Sequence, residues 1–151
     1  MRNVQRLQLT LALALALNVG AGCSREAPDA VPGVRLGMSP RDVRDRFDES
    51  GQGAWRTNVS SGPGANDDTV LEWSAAVPAS RATHARFEFH LGMLVAVRAH
   101  LREGASSERV DLTAKTVTLR TAAAGGIDVT ILARDCPTHH EEAEAMALKA
   151  R

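Results

Sequence analysis

The sequence predicts an α+β domain in which a short N-terminal helix and a C-terminal helix flank an antiparallel sheet of about four to six strands, built from hairpins in two layers. Between residues 54 and 133, several segments of strand length alternate apolar and polar side chains, and glycine-containing turns separate them. Helix start signals stand at the two ends of this region. Runs of strands flanked by helices are typical of this fold class.

The first helix is predicted from a start signal at residues 39–42. The hydroxyl of Ser39 can accept a hydrogen bond from an unpaired amide at the helix start. Pro40 suits the first helical position, where its missing N–H is no loss. Asp42 stands three residues after the cap, as the acidic residue of a capping box does.

One face of this helix is predicted to pack on the sheet. Met38 and Val43 have the spacing of a hydrophobic staple across the cap. Val43 and Phe47 lie four residues apart and therefore share a face. We expect Gly51 and Gly53 to end the helix.

The middle of the chain is predicted as strands. The clearest is Ala82 to His90, where Phe87 and Phe89 alternate with polar residues and Leu91-Gly92 marks a tight turn into the next strand. Residues 108–112 are predicted as one helical turn, and residues 137–151 as the C-terminal helix. The predicted strands are residues 54–58, 68–76, 82–90, 93–101, 115–121 and 127–133.

Residues 1–22 are predicted to be a secretory signal peptide. Arg2 and Arg6 make the first segment positive, and Leu7 to Val19 is apolar and uncharged. The apolar run is shorter than the roughly 20 residues that a transmembrane helix needs, and Asn18 interrupts it.

The end of the signal, Gly20-Ala21-Gly22-Cys23, resembles the lipobox of bacterial lipoproteins, in which the cysteine is acylated and becomes the mature N-terminus. This resemblance implies a lipid anchor at Cys23, including palmitate, and Ser24 after it favours the outer membrane. A cleaved signal with a free cysteine is the alternative. We expect residues 23–33 to form a flexible tether, and residues 34–151 a single domain.

Loss of Arg2 and Arg6 with the signal shifts the formal net charge from zero to −2. Nucleic-acid binding requires a clustered basic face, so we expect no nucleic-acid partner. If Cys23 is acylated, Cys136 is the remaining thiol.

Two segments resemble a known family. Residues 36–43 read Leu-Gly-Met-Ser-Pro-x-x-Val, and residues 87–97 read Phe-x-Phe-x-x-Gly-x-Leu-x-x-Val. These are similar to the helix start and hairpin of the SmpA/OmlA (BamE-like) small outer-membrane lipoproteins, over roughly residues 34–101. The resemblance implies a two-layer α+β fold and a role as an accessory to outer-membrane protein assembly.

The densest set of chemically reactive side chains contains Cys136, His139 and His140. A thiolate and imidazoles three or four residues apart can bind one metal ion, and a cysteine at a helix start can act as a nucleophile. His84, His90 or His100 could complete such a ligand set. The structural explanation is that Pro137 and the residues after it simply start a helix. The sequence contains no nucleophile elbow, His-Glu-x-x-His pair or phosphate loop.

Trp55 and Trp73 are candidates for a partner-binding surface if exposed, and for the core if buried. We therefore interpret the chain as a lipid-anchored, non-catalytic binding or envelope-assembly module at the outer membrane, facing the periplasm and using no cofactor. The expected partners are the membrane, through the anchor, and another envelope protein. The alternative is a thiol- or metal-dependent envelope protein that uses Cys136 with His139 or His140.

Overall fold

The computed structural model of the protein describes residues 30–47, 50–59, 68–102 and 108–149, so the predicted signal peptide and Cys23 lie outside the described residues. Seven antiparallel strands form one sheet in the order β1-β2-β3-β4-β7-β6-β5. The helices are α1 (Pro40–Arg46) and α2 (His140–Leu148), with a 3₁₀ turn at Ser50–Gln52. The strands are β1 (Gly53–Val59), β2 (Thr69–Ala75), β3 (Ala82–His90), β4 (Met93–Leu101), β5 (Arg109–Leu112), β6 (Thr116–Ala123) and β7 (Gly126–Ala133).

The predicted sheet of four to six strands in two layers is wrong. The additional strand is β5, which the sequence analysis assigned to a helical turn. It pairs antiparallel with β6, and Val110 lies opposite Leu119. Four residues are about one helical turn or one short strand, so their local pattern cannot separate the two. Pairing with β6, a non-local contact, decides the outcome.

The two-layer arrangement fails because the two helices pack on opposite faces of the sheet. Residues directly opposite each other in paired strands point to the same face, and successive residues alternate between faces. Val97 of β4 belongs to the same apolar cluster as Val43 of α1. Its neighbour Ala96 packs with Leu132 and with Met146 of α2. Each face of β4 therefore contributes to a different core.

The predicted cap of α1 is confirmed. The backbone N–H of Asp42 donates to the Ser39 hydroxyl oxygen at 3.1 Å, and the Asp42 carboxylate accepts from the Ser39 hydroxyl at 2.8 Å. The predicted end at Gly51 and Gly53 is wrong, because the helix ends at Arg46. Gly53 instead begins β1.

The larger core lies between α1 and one face of the strands β1 to β4 and β7. Phe47, the residue that follows α1, is 2% exposed. Its ring packs edge-to-face against Trp55, Trp73 and Phe87, with centroid separations of 5.9, 5.2 and 5.3 Å. The predicted docking of this helix through Phe47 is therefore confirmed. Within the described residues, neither helix is long and apolar enough to cross a bilayer.

The capping box makes a pH-dependent contribution to stability. The hydrogen bonds from the Ser39 side chain and backbone lower the pKa of the Asp42 carboxyl below its ordinary value of 3.8. A lowered carboxyl pKa stabilises the fold fully above the unfolded value, and the contribution is lost as pH falls through the folded value. We expect Asp42→Asn to lower the melting temperature at neutral pH and to make no difference well below pH 3.8. Melting curves of both forms across this range are the measurement, and a pH-independent gap would contradict the assignment.

Candidate functional site

Cys136, His139 and His140 have separate surroundings in the structure. Cys136 is 4% exposed and lies in the turn between β7 and α2, where its carbonyl accepts from the His139 backbone N–H at 3.1 Å. The His139 imidazole faces the sheet, with Nε2 3.4 Å from a Glu88 carboxylate oxygen. His140 is exposed, and its Nδ1 lies 3.1 Å from the Arg134 carbonyl oxygen.

The sequence spacing of Cys136, His139 and His140 suggested that their side chains lie together at a helix start. The helix begins later than predicted, so this spacing does not bring them together. α2 begins at His140, and His139 is its cap residue without a side-chain capping bond. Cys136 therefore lies in a turn, where helical spacing does not apply. In the part of the chain that the structure describes, no group of three or more His, Cys, Asp or Glu side chains could hold a metal ion. The thiol or metal alternative stays a prediction.

The sheet face opposite α1 is strongly charged. We call this surface the charged face. Arg86 of β3 lies directly opposite Glu72 of β2 and Arg98 of β4. The residues of the charged face are Glu72, His84, Arg86, Glu88, Arg98 and His100.

Most charges on this face are paired with each other. Arg86 donates to Glu72 at 2.8 Å and to Glu88 at 3.1 Å. Arg98 donates to Glu88 and, at 2.7 Å, to Glu142 of α2. These bonds join the second helix to the central strands. The network therefore has a structural role and leaves little charge free for a partner.

The histidines on the strands are also held by carboxylates or rings. His90 Nδ1 lies 2.8 Å from an Asp68 carboxylate oxygen, and His100 Nδ1 lies 2.7 Å from Asp128. His84 stacks on His100 with ring centroids 5.7 Å apart. A cavity of about 210 Å³ lies beside His90 and His139. It is smaller than the roughly 300–1,000 Å³ typical of small-molecule sites.

Trp55 and Trp73 pair directly across β1 and β2. Trp73 is fully buried, and Trp55 is half-buried. Both indole nitrogens are buried without a hydrogen-bond partner among the described residues. The two rings therefore act mainly as apolar core, and Trp55 alone reaches the edge of the sheet.

β1 is the more open edge of the sheet. It runs for seven residues in continuous register with β2, contains no proline, and has no strand on its other side within the described ranges. The opposite edge, β5, is only four residues long. Natural proteins protect sheet edges by shortening them or by adding bulges, prolines or charges. Of the two edge strands, β1 has fewer of these protective features than β5.

One hydrogen bond beside β1 shows which of its residues direct their backbone N–H and C=O groups toward β2 and which direct them away. The Ala76 N–H donates to the Gln52 carbonyl at 2.7 Å. In an antiparallel pair, hydrogen-bonded and non-hydrogen-bonded positions alternate. Every second residue of β1 therefore directs its N–H and C=O away from β2. These residues are Gly53, Trp55, Thr57 and Val59.

Two arginines lie beside this open edge, one on each face. Arg56 projects from the charged face of β1. Arg44 of α1 donates to the Thr57 hydroxyl and lies over the Trp55 ring, 5.8 Å from its centroid. Among the described side chains, neither arginine has a carboxylate within ion-pair distance. We call β1 with Arg44 and Arg56 the β1 edge.

No protein-family model, curated protein or solved structure matches the chain. The resemblance to the SmpA/OmlA lipoproteins therefore rests on the residues quoted above and stays a prediction.

Arg44 and Arg56 are not recognisable as binding residues from the sequence. Each stands in a recognisable element, Arg44 next to Val43 on the first helix and Arg56 next to Trp55 in a predicted strand. Their importance depends on β1 being at the edge, which is a property of strand order. Local periodicity carries no signal for strand order.

Proposed function

We propose that the protein is a lipid-anchored cell-envelope protein, held at the outer membrane and facing the periplasm, whose domain is a non-catalytic binding or assembly module. The lipobox-like segment ending at Cys23 supports the anchor, and residues 24–29 supply a tether, which ends before Val31, a fully buried residue of the larger core. A domain tethered in this way meets partners near the membrane surface.

The β1 edge carries the proposal for binding. An exposed sheet edge offers unpaired backbone donors and acceptors, and proteins use such edges to bind an extended segment of a partner as an added strand. The other surfaces offer less. The charged face is paired internally, and the cavity beside His90 is small.

Cell fractionation and crosslinking in one strain test the anchor and the binding surface together. We expect Cys23→Ala to leave the membrane fraction and to lose labelling by palmitate. We expect a photo-crosslinking amino acid at Val59, which is 61% exposed at the end of β1, to give a discrete crosslinked species in membranes. The Cys23→Ala form should give less of it, because it has lost its position at the membrane.

Two controls match these changes. Cys136→Ala should keep membrane association and label. The same crosslinker at Leu148, which is 64% exposed on α2, should give no such species. Unchanged membrane association of Cys23→Ala would argue for a retained helix, and equal crosslinking from Leu148 would remove the β1 edge as the binding surface.

A further inference from the structure

We propose that the β1 edge binds an extended segment of a partner protein as an eighth strand, with an acidic side chain opposite Arg56 and apolar side chains on either side of it. This inference rests on the proposed binding function and specifies the chemistry of the partner. Three observations carry it: the backbone phase of β1, the order of charges across the sheet, and the apolar surface on the other face of the strand.

The backbone of β1 is ready for another strand. Its outward residues present alternating N–H and C=O groups over a span of seven residues. The register with β2 is continuous, so no bulge turns these groups away. An added strand can therefore form a regular ladder along the whole length of β1.

The charges form a row that alternates in sign toward the edge. In the register of the sheet, Arg86 lies opposite Glu72, and Glu72 lies opposite Arg56. Glu72 already accepts from Arg86 at 2.8 Å. Opposite charges across strands attract, and like charges repel. The next position outward, opposite Arg56, therefore favours a carboxylate.

The second arginine strengthens this preference. Arg44 stands on the α1 side of β1, bound to Thr57 and stacked on Trp55. An incoming strand thus passes between two positive side chains on opposite faces of the sheet. Such a site favours an acidic segment over a basic one.

The residues next to the acid face the apolar side of β1. The two neighbours of Arg56 in β1, half-buried Trp55 and exposed Thr57, project there, on the face that α1 covers. Exposed Val59 lies two residues beyond Thr57 on the same face. Cross-strand pairs of aromatic and β-branched side chains stabilise a sheet. The preferred partner segment therefore alternates apolar, acidic and apolar residues.

A second copy of this chain fits the edge poorly. Antiparallel pairing of two β1 strands over their full length places the two Arg56 side chains directly opposite each other. That arrangement repels. Pairing between copies also supplies no carboxylate for either arginine. The occupant is therefore a different polypeptide.

A seven-residue peptide tests this directly with the full chain in mild detergent. The sequence Ser-Thr-Val-Glu-Val-Thr-Ser, fluorescently labelled, has its acid at the centre and a valine on either side. We expect saturable binding by fluorescence anisotropy. Arg56→Glu should weaken it about tenfold, because an attraction becomes a repulsion. A peptide with lysine at the centre should bind Arg56→Glu better than it binds the wild type.

Two matched controls separate strand addition from general charge attraction. Lys115→Glu makes the same charge change in the exposed turn between β5 and β6, at the far edge, and should leave binding unchanged. Two peptides methylated on alternate backbone nitrogens, one on the odd and one on the even residues, should differ in binding. Only one of the two sets of N–H groups faces β1, so methylation of that set should abolish binding and methylation of the other should not. Charge is the same in both methylated peptides.

Equal binding of the glutamate and lysine peptides by the wild type would overturn the inference, as would equal loss in both methylated phases. A concentration-dependent dimer that excludes the peptide would assign the edge to a second copy. Binding to phosphatidylglycerol vesicles, lost in Arg56→Glu, with no peptide binding would assign it to a membrane surface. If the Val59 crosslink forms in cells but the peptide does not bind, the proposed binding function is retained and the proposed acidic strand is rejected.

Discussion

Phe47→Ala is expected to destabilise the domain by roughly 3–5 kcal/mol, the cost of removing a fully buried phenylalanine ring. The ring is 2% exposed and contacts three other aromatic rings, one on each of β1, β2 and β3. Its loss leaves a cavity at the point where α1 meets the sheet. Small domains have only about 5–15 kcal/mol of total stability, so a large part of it would disappear. Urea unfolding followed by tryptophan fluorescence is the measurement.

Phe47→Leu provides the matched variant. It retains apolar volume and loses the edge-to-face ring contacts, so its loss of stability should be clearly smaller. Leu148→Ala, at a residue 64% exposed on α2, should change stability by no more than about 0.5 kcal/mol. If Phe47→Ala unfolded at the parent's urea midpoint, the packing of α1 described above would be wrong.

The second large effect is expected at the start of β7, where Gly126→Ala should cost about 3 kcal/mol or prevent folding. A Cβ placed at Gly126 would lie 1.9 Å from the carbonyl oxygen of Leu101 in β4. This oxygen belongs to backbone and cannot rotate away, so β4 and β7 would have to separate locally. Overpacking of this kind typically costs 1–3 kcal/mol, and more where the neighbour cannot move. Thermal unfolding monitored by circular dichroism measures the loss.

The adjacent glycine is the control. A Cβ at Gly125 would meet nothing within 4 Å, but its φ of +81° is in the left-handed region. Gly125→Ala should therefore cost only about 1–2 kcal/mol, the strain of an L-residue in that region. Equal melting temperatures for the two variants would show that β4 and β7 are not as close at Gly126 as described.

Local sequence signals predicted the parts of the fold that local forces determine. The bounds of β3 and β4 are as predicted, because a nine-residue strand lies on each side of the tight turn at Leu91-Gly92. Both turn residues have positive φ, 50° and 75°, as a two-residue type I′ hairpin requires. The cap at Ser39 was predictable for the same reason, since its hydrogen bonds reach only to Asp42.

Long-range arrangement could not be predicted in this way. β5 depends on its pairing with β6, and the placement of α2 depends on which face of the sheet has free apolar surface. The separate surroundings of Cys136, His139 and His140 could not be predicted for a related reason. The spacing of Cys136 and His139 implied proximity on a helix, but α2 starts only at His140. The β1 edge depends on strand order, which no local pattern reports.

The two-sided burial of β4 limits how its sequence can diverge. Val97 supplies one core and Ala96 the other, while Arg98 binds Glu142. A shift of one residue would exchange the faces and place Arg98 beneath α1. Substitutions of the exposed residues of β1 therefore disturb neither core, whereas β4 can change only together with both helices.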